Sequence, residues 1–216
     1  SEDAIIGKTL EGIVTSWNRG AEKIYGYTES EIIGQPISLL VPPTRTDEVP
    51  QILDAIMAGN SIDHYETVRK RKDGRAIDVS LAVSPMRDSA GNVVAASTIA
   101  RDITEHKRNE AVNLSRLHLT QFAETHSLDE LLEETLNEVE KLTGSLIGFY
   151  HFVEDDQQTL TLQSWSTRTK AEFCTAEGSE GLHYPISEAG VWTECVYQQK
   201  PVIHNDYPSL PHRRGM

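Results

Sequence analysis

The sequence predicts an α+β chain, in which an antiparallel sheet carries helices on one face and a connector helix leads to a second α+β segment. Three observations point there. Strand-like stretches at residues 64–71, 76–86 and 93–101 are separated by turn signals. Short capped helices fill residues 18–58. Residues 104–142 read mostly as helix, and strand patterns return beyond 145.

Ala4–Thr9 and Ile13–Asn18 form short strands around a Glu11-Gly12 turn. Asn18 suits the N-cap of a short helix carrying Ala21, Ile24 and Tyr25, because its side-chain oxygen accepts from an amide of the first turn. Gly26 ends that helix in the left-handed conformation. Thr28-x-x-Glu31 is a capping box for a short helix that stops at Gly34, and Pro42-Pro43 marks a loop. Glu48–Ala58 predicts a longer helix with an acid and Pro50 in its first turn. Val49, Ile52, Leu53, Ile56 and Met57 line one face of it, and Gly59 follows. His64–Arg71 runs into Lys72-Asp73-Gly74-Arg75, a hairpin signal. Ala76–Met86 alternates, with Ile77, Val79, Leu81 and Val83 on one side. A turn at Ala90-Gly91-Asn92 leads to the last strand of this part, Val93–Arg101.

Thr104 suits the cap of a connector helix that begins Glu105-His106-Lys107 and runs to Glu124. Ser127-Leu128-Asp129-Glu130 is a second capping box. Behind it Leu128, Leu131, Leu132, Thr135, Leu136, Val139 and Leu142 make a stripe on one helix face, ended by Gly144. Leu146–Val153 and Thr159–Ser166 predict a hairpin around Glu154–Gln158. A loop with Gly178 and Gly181, a short helix over Gly190–Gln198 and a strand over Pro201–His204 follow.

Composition limits the function. The 216 residues are 38% hydrophobic and 25% charged, which is globular. Net charge is −13, from 33 acids and 20 bases. Residues 1–104 hold 15 acids against 11 bases and residues 105–216 hold 18 against 9. That balance argues against binding nucleic acid or an anionic membrane, which needs clustered Lys and Arg. Arg69-Lys70-Arg71-Lys72, the basic run, reads as a solvated hairpin edge. No run of 18 apolar residues predicts a membrane span, and Ser1-Glu2-Asp3 opens no signal peptide. Two cysteines, Cys174 and Cys195, form neither a disulfide framework nor a zinc motif, so a cytoplasmic location is expected. Phosphate-loop, dinucleotide, zinc-protease and serine-hydrolase motifs are lacking, and no catalysis is expected within the chain. The eight histidines show no metal-ligand spacing, so no metal is expected.

Several strings then suggest a family. Trp17–Glu22, Gly26–Gly34, Arg71–Arg75, Ser84–Asp88 and Arg101-Asp102-Ile103-Thr104, in this order and spacing, resemble a PAS sensory domain over residues 1–107. The strings Gly181–Trp192 and Lys200–Tyr207 resemble the opening half of a GAF domain, as found behind PAS domains in bacterial and archaeal sensor histidine kinases. The resemblance implies a five-stranded antiparallel PAS sheet with flanking helices over 1–104, a signalling helix over 105–126, and a GAF segment over 127–216 that lacks the family's later strands. It therefore implies a fragment of a longer protein.

Site residues follow from the same likeness. Arg101, Asp102, Ile103 and Thr104 are expected to pass a change in the last strand to the outgoing helix. Trp17, Ile24, Tyr25, Ile33, Leu40, Leu53, Ile56 and Met57 would line a PAS pocket for an unknown small molecule, or simply fill the core. Haem and flavin are not expected. The helix that would offer an axial histidine has none, His64 reads as a polar strand residue, and the first part has no cysteine for flavin photochemistry. Val112, Leu119 and Phe122 fit one helical seam and Leu114 and Leu117 another, neither sustained as a coiled coil. A homodimer through the PAS domain and connector helix is what the family implies.

The function expected is the sensory input region of a two-component histidine kinase, with a kinase core and a response regulator as partners in the parent protein. A scaffold that only dimerises, and the input module of a diguanylate cyclase or other output enzyme, are the alternatives.

Overall fold

The computed structural model describes residues 1–172, 183–186, 193–204, 206 and 209. Cys174, Gly178, Gly181, Leu182, the string 187–192, Asn205, Tyr207 and His212 lie outside them. The chain divides into two compact units, Ser1–Glu110 and Ala111–Met216.

The first unit opens with strands β1 (Ala4–Lys8) and β2 (Val14–Trp17). Helices α1 (Arg19–Tyr25), α2 (Glu29–Ile32) and α3 (Glu48–Met57) follow, with two 3-10 turns at Ile37–Leu40 and Pro43–Arg45. Strands β3 (Ile62–Lys70), β4 (Ala76–Arg87) and β5 (Val93–Asp102) complete it. All five strands pair antiparallel in the order β2-β1-β5-β4-β3. The first strand thus lies beside the last, with Ala4 opposite Ala100 and Lys8 opposite Ala96.

Local chemistry fixes the helices. The Asn18 side chain accepts from the amides of Ala21 and Ile5, both at 2.9 Å, so one residue starts α1 and ties it to β1. Gly20 is required there, since a Cβ would stand 2.2 Å from the Asp3 carbonyl oxygen. Gly26 closes α1 at φ 81°, and Thr28 and Glu31 form both halves of the expected capping box. The sheet and these helices enclose one apolar core that includes Ile6, Trp17, Tyr25, Ile56, Val79 and Val83.

Three expectations for this unit change. Ile33 and Met57 are 39% and 50% exposed, away from the core. Met57 follows Ile56 by one residue, about 100° around the helix, and Ile52, Leu53 and Ile56 already take the inward face. Ile33 is the extended residue that leaves α2. The basic run is not a solvated edge. Arg69 is buried, Arg71 donates to the Ile24 carbonyl, and Lys72 pairs with Glu31.

In the second unit, α5 (Leu128–Thr143) follows α4 (Thr104–Ala123), whose sequence crosses the division. Strands β6 (Phe149–Val153), β7 (Thr159–Trp165) and β8 (His183–Pro185) pair antiparallel in that order. Helix α6 (Thr167–Glu172) lies between β7 and β8 in sequence, and α7 (Glu194–Gln198) follows β8. The Ser127 amide donates to Glu130 Oε2 at 2.8 Å, closing the capping box of α5, and Gly144 ends that helix at φ 70°. The stripe of α5 is only partly inward. Leu136 is buried, whereas Leu128, Val139 and Leu142 are 62%, 47% and 38% exposed. The buried neighbour one turn on is Glu140, which accepts from the Ser166 hydroxyl. Residues 201–204 adopt no regular structure, contrary to the expected strand; they find no ladder partner among the described residues.

Candidate functional site

Two features of the first unit concentrate polar chemistry: a cavity between α3 and the sheet, and the exit from β5 into α4. The cavity measures about 30 Å³. Ile6 and Lys8 reach it from β1, Tyr25 from α1, Val49, Ile52 and Leu53 from α3, and Arg69, Leu81, Val83 and Thr98 from the other strands. Ile37 and Val41 close it.

Of the expected pocket residues, Tyr25 and Leu53 line this space. Trp17, Ile24, Leu40 and Ile56 are buried in the surrounding core. Trp17 stacks obliquely on Tyr25 at 5.5 Å and donates its indole N–H to the Tyr27 carbonyl at 3.0 Å. Ile33 and Met57 face away, as described above. His64 is exposed, at φ 53° in the irregular step between Ile62 and Tyr65.

The sequence reading missed the charged side of the cavity. Alternation along β1 carries Ala4, Ile6 and Lys8 to the buried face, so Lys8 is 5% exposed. Its ammonium donates to the Thr98 hydroxyl at 2.7 Å. Arg69 and Thr67 share the buried phase of β3. Glu48, in the first turn of α3, accepts from Arg45 Nη1 at 2.8 Å, from Arg69 Nη1 at 2.8 Å and from the Thr67 hydroxyl at 2.7 Å. Burial pushes the Glu48 carboxyl up, but the bonds from Arg45, Arg69 and Thr67 outweigh it and hold the group below its ordinary value. Burial, helped by the Arg69 charge, pulls the Lys8 ammonium down to about 8. Burial drives the Tyr25 phenol upward, so it keeps its proton.

The exit from the sheet is a short relay of hydrogen bonds. Ile103 N–H donates to the Asp78 carbonyl and Asp78 N–H donates to Thr104 Oγ1, both at 2.9 Å. Asp102 Oδ1 accepts from the Thr104 amide at 2.9 Å. Thr104 is therefore the first residue of α4, capped by Asp102, and its hydroxyl turns back to β4; the expected cap role passes to Asp102. Lys107, one turn into α4, reaches Glu66 of β3 at 2.9 Å and Asp78 of β4 at 3.5 Å. Arg101 points elsewhere, to a two-oxygen pairing with Asp3 at 3.1 and 3.0 Å.

In the second unit His118, Glu134 and Glu138 bring ligand-type atoms within 4.8 Å of one another. They are already engaged: His118 with Glu134 at 2.8 Å, and Glu138 with the Ser115 hydroxyl. These bonds fasten α4 to α5. Among the described residues no helix is long and apolar enough to cross a membrane.

Comparison with known proteins finds one family in each part of the chain. Residues 2–105 match the model of a PAS domain and residues 125–216 that of a GAF domain. The chain is 33% identical over 199 residues to the methyl sulfide methyltransferase-associated sensor of Methanosarcina acetivorans, spanning 88% of this chain and 19% of that protein. It is 27% identical over 157 residues to the signal transduction histidine-protein kinase AtoS of Escherichia coli, spanning 73% of this chain and 24% of the kinase. The chain thus spans about a fifth to a quarter of the curated relatives it matches. A solved PAS domain from Colwellia psychrerythraea is 30% identical, with TM-score 0.46, over 49% of this chain and 89% of that one.

Proposed function

We propose that this chain, a PAS domain followed by a GAF domain, is a sensory input region that passes a ligand- or partner-induced change in the first sheet along α4 to an output domain. The family pairing supports a signalling role. A kinase output is supported by the likeness to AtoS, itself a histidine kinase. On this reading the parent protein is a cytoplasmically exposed, homodimeric two-component sensor, and its partner is a response regulator.

The relay at the end of β5 carries the proposal. Signal transmission requires an element with two arrangements whose balance the input biases. The first turn of α4 is bonded to β4 through Asp78, to the end of β5 through Asp102, and to β3 through Lys107. These bonds would give a shift of the three-strand meander a route to the helix start. The test replaces Asp102 and Thr104 together with Ala in the full-length protein. Output activity is expected to stop responding to the input while the PAS fold, read by hydrogen exchange in β4 and β5, persists. Unchanged signalling in the double variant overturns the proposal.

A further inference from the structure

We infer that His118, Glu134 and Glu138 form a binding site for a divalent transition-metal ion, zinc by their ligand types, and that the bound ion clamps α4 to α5. All three residues belong to the second unit, and the site stands apart from the sensory reading of the first sheet.

Helix periodicity assembles the set. Glu134 and Glu138 lie four residues apart on α5, so they share a face. His118 comes from α4, and its Nε2 meets Glu134 Oε1 at 2.8 Å. One ligand atom from each of the three residues lies within 4.8 Å of the other two. Because the imidazole and the carboxylates come from different helices, spacing rules for motifs within one segment pass over them. Neighbouring groups orient the set. Asn137 Nδ2 donates to Glu134 Oε2 at 3.2 Å, which leaves Oε1 on the His118 side. The Ser115 hydroxyl donates to Glu138 Oε2. Phe122, one turn beyond His118, packs against the imidazole at 5.9 Å. Such outer bonds are what hold metal ligands in place.

Packing shows what the ion would supply. Ser115 is the buried residue of α4, whereas Leu114 and Leu117 are 61% and 55% exposed. At this level the two helices therefore meet through polar groups rather than hydrocarbon. The cation beside the two carboxylates, Lys141, stands 3.4 Å from Glu138 Oε1 with its side chain 76% exposed. Such a pair contributes little. A divalent ion neutralises both carboxylates and bridges the helices in one step.

Ligand type selects the ion. Calcium takes about six to eight oxygens, and magnesium keeps an octahedron of oxygens and water. Zinc accepts imidazole and carboxylate together, with three protein ligands and a water in the fourth position. Tetrahedral bonds of ~2.0–2.1 Å place neighbouring ligand atoms about 3.3 Å apart. The His118–Glu134 pair would open from 2.8 Å by about 0.5 Å, and the widest pair would close by at most about 1.5 Å. His118, with its side chain 48% exposed, has the freedom to make that movement.

The experiment strips the full chain with EDTA and titrates it at pH 7 with zinc, magnesium or calcium chloride, read by hydrogen-exchange mass spectrometry. Zinc that binds the paired helices slows their exchange by the factor 1 + [L]/Kd, so free zinc at about nine times Kd gives about a tenfold slowing. The expected result is that slowing in peptides of residues 111–123 and 128–143, its reversal by EDTA, and no such slowing with magnesium or calcium. His118→Ala and Glu134→Gln are expected to abolish it, and Ser115→Ala, which removes an orienting bond and no ligand, to weaken zinc about 10–100-fold. Glu134→Gln keeps the size of the side chain, so loss of zinc there with unchanged metal-free exchange separates ligation from packing. Zinc slowing that persists in Glu134→Gln or His118→Ala places the ion elsewhere on the chain and overturns the site, as does no slowing in the wild type. Magnesium or calcium matching zinc overturns the transition-metal assignment.

Discussion

Removing the Glu48 carboxylate should unbalance the first unit more than any other single polar truncation there. Glu48 and Arg69 meet at 2.8 Å, with side chains 11% and 6% exposed, so neither is well hydrated when its partner leaves. Glu48→Ala strands Arg69 as an uncompensated interior charge, which costs about 3–5 kcal/mol. The Arg45 contact adds little, because that side chain is 43% exposed and its charge returns to water. At about 1.4 kcal/mol per decade, the loss corresponds to roughly two to three and a half decades faster exchange in β3 and β4 peptides, where exchange follows global opening. The double variant Glu48→Ala/Arg69→Met removes both charges and is expected to recover most of the loss, since replacing a buried pair by apolar groups is often neutral. Less than a tenfold change in the single variant, or a double variant that exchanges as fast as the single one, refutes the reasoning.

Two further outcomes follow from the same unit. Gly20→Ala should cost about 1–3 kcal/mol by forcing α1 away from the Asp3 carbonyl, only 2.2 Å from the added Cβ; wild-type exchange rates in peptides spanning 3–25 would contradict it. Lys8 releases its proton near pH 8 when folded and near 10.5 when unfolded. Between those values the unfolded chain binds more protons, so the Lys8 contribution to stability rises with pH across that window and is level below it. Denaturation of wild type and Lys8→Met from pH 7 to 11 checks this, and a flat difference between the two curves refutes it.

Signals written within a few residues were legible in the sequence. The Thr28–Glu31 and Ser127–Glu130 boxes and the Asn18 cap each depend on side chains reaching amides two or three positions away. The cavity chemistry was not, because it depends on pairing between distant strands. Lys8 meets Thr98 only because β1 lies beside β5. Its clue was a charge in the apolar phase of a strand, after Ala4 and Ile6. Arg69 sat inside a basic run; alternation puts half of such a run on each face, but four consecutive charges gave no sign of which face is inward. Glu48 passed as an ordinary acid at a helix start, which it also is. Among the relay residues, sequence pattern located the junction, while the return of the Thr104 hydroxyl to Asp78 required the third dimension.

The placement of β1 between β2 and β5 also dictates how the unit is made. Ala4 leaves the ribosome well before Ala100, its partner across the ladder, and must wait for it. At about 5–20 residues per second, that delay is roughly 5–20 s. Until then β1 has β2 and α1 beside it but no partner along its other edge. The last strand to emerge is therefore the one that closes the sheet. The next residues out are Asp102 to Thr104, so the strand that closes the sheet and the start of α4 emerge together.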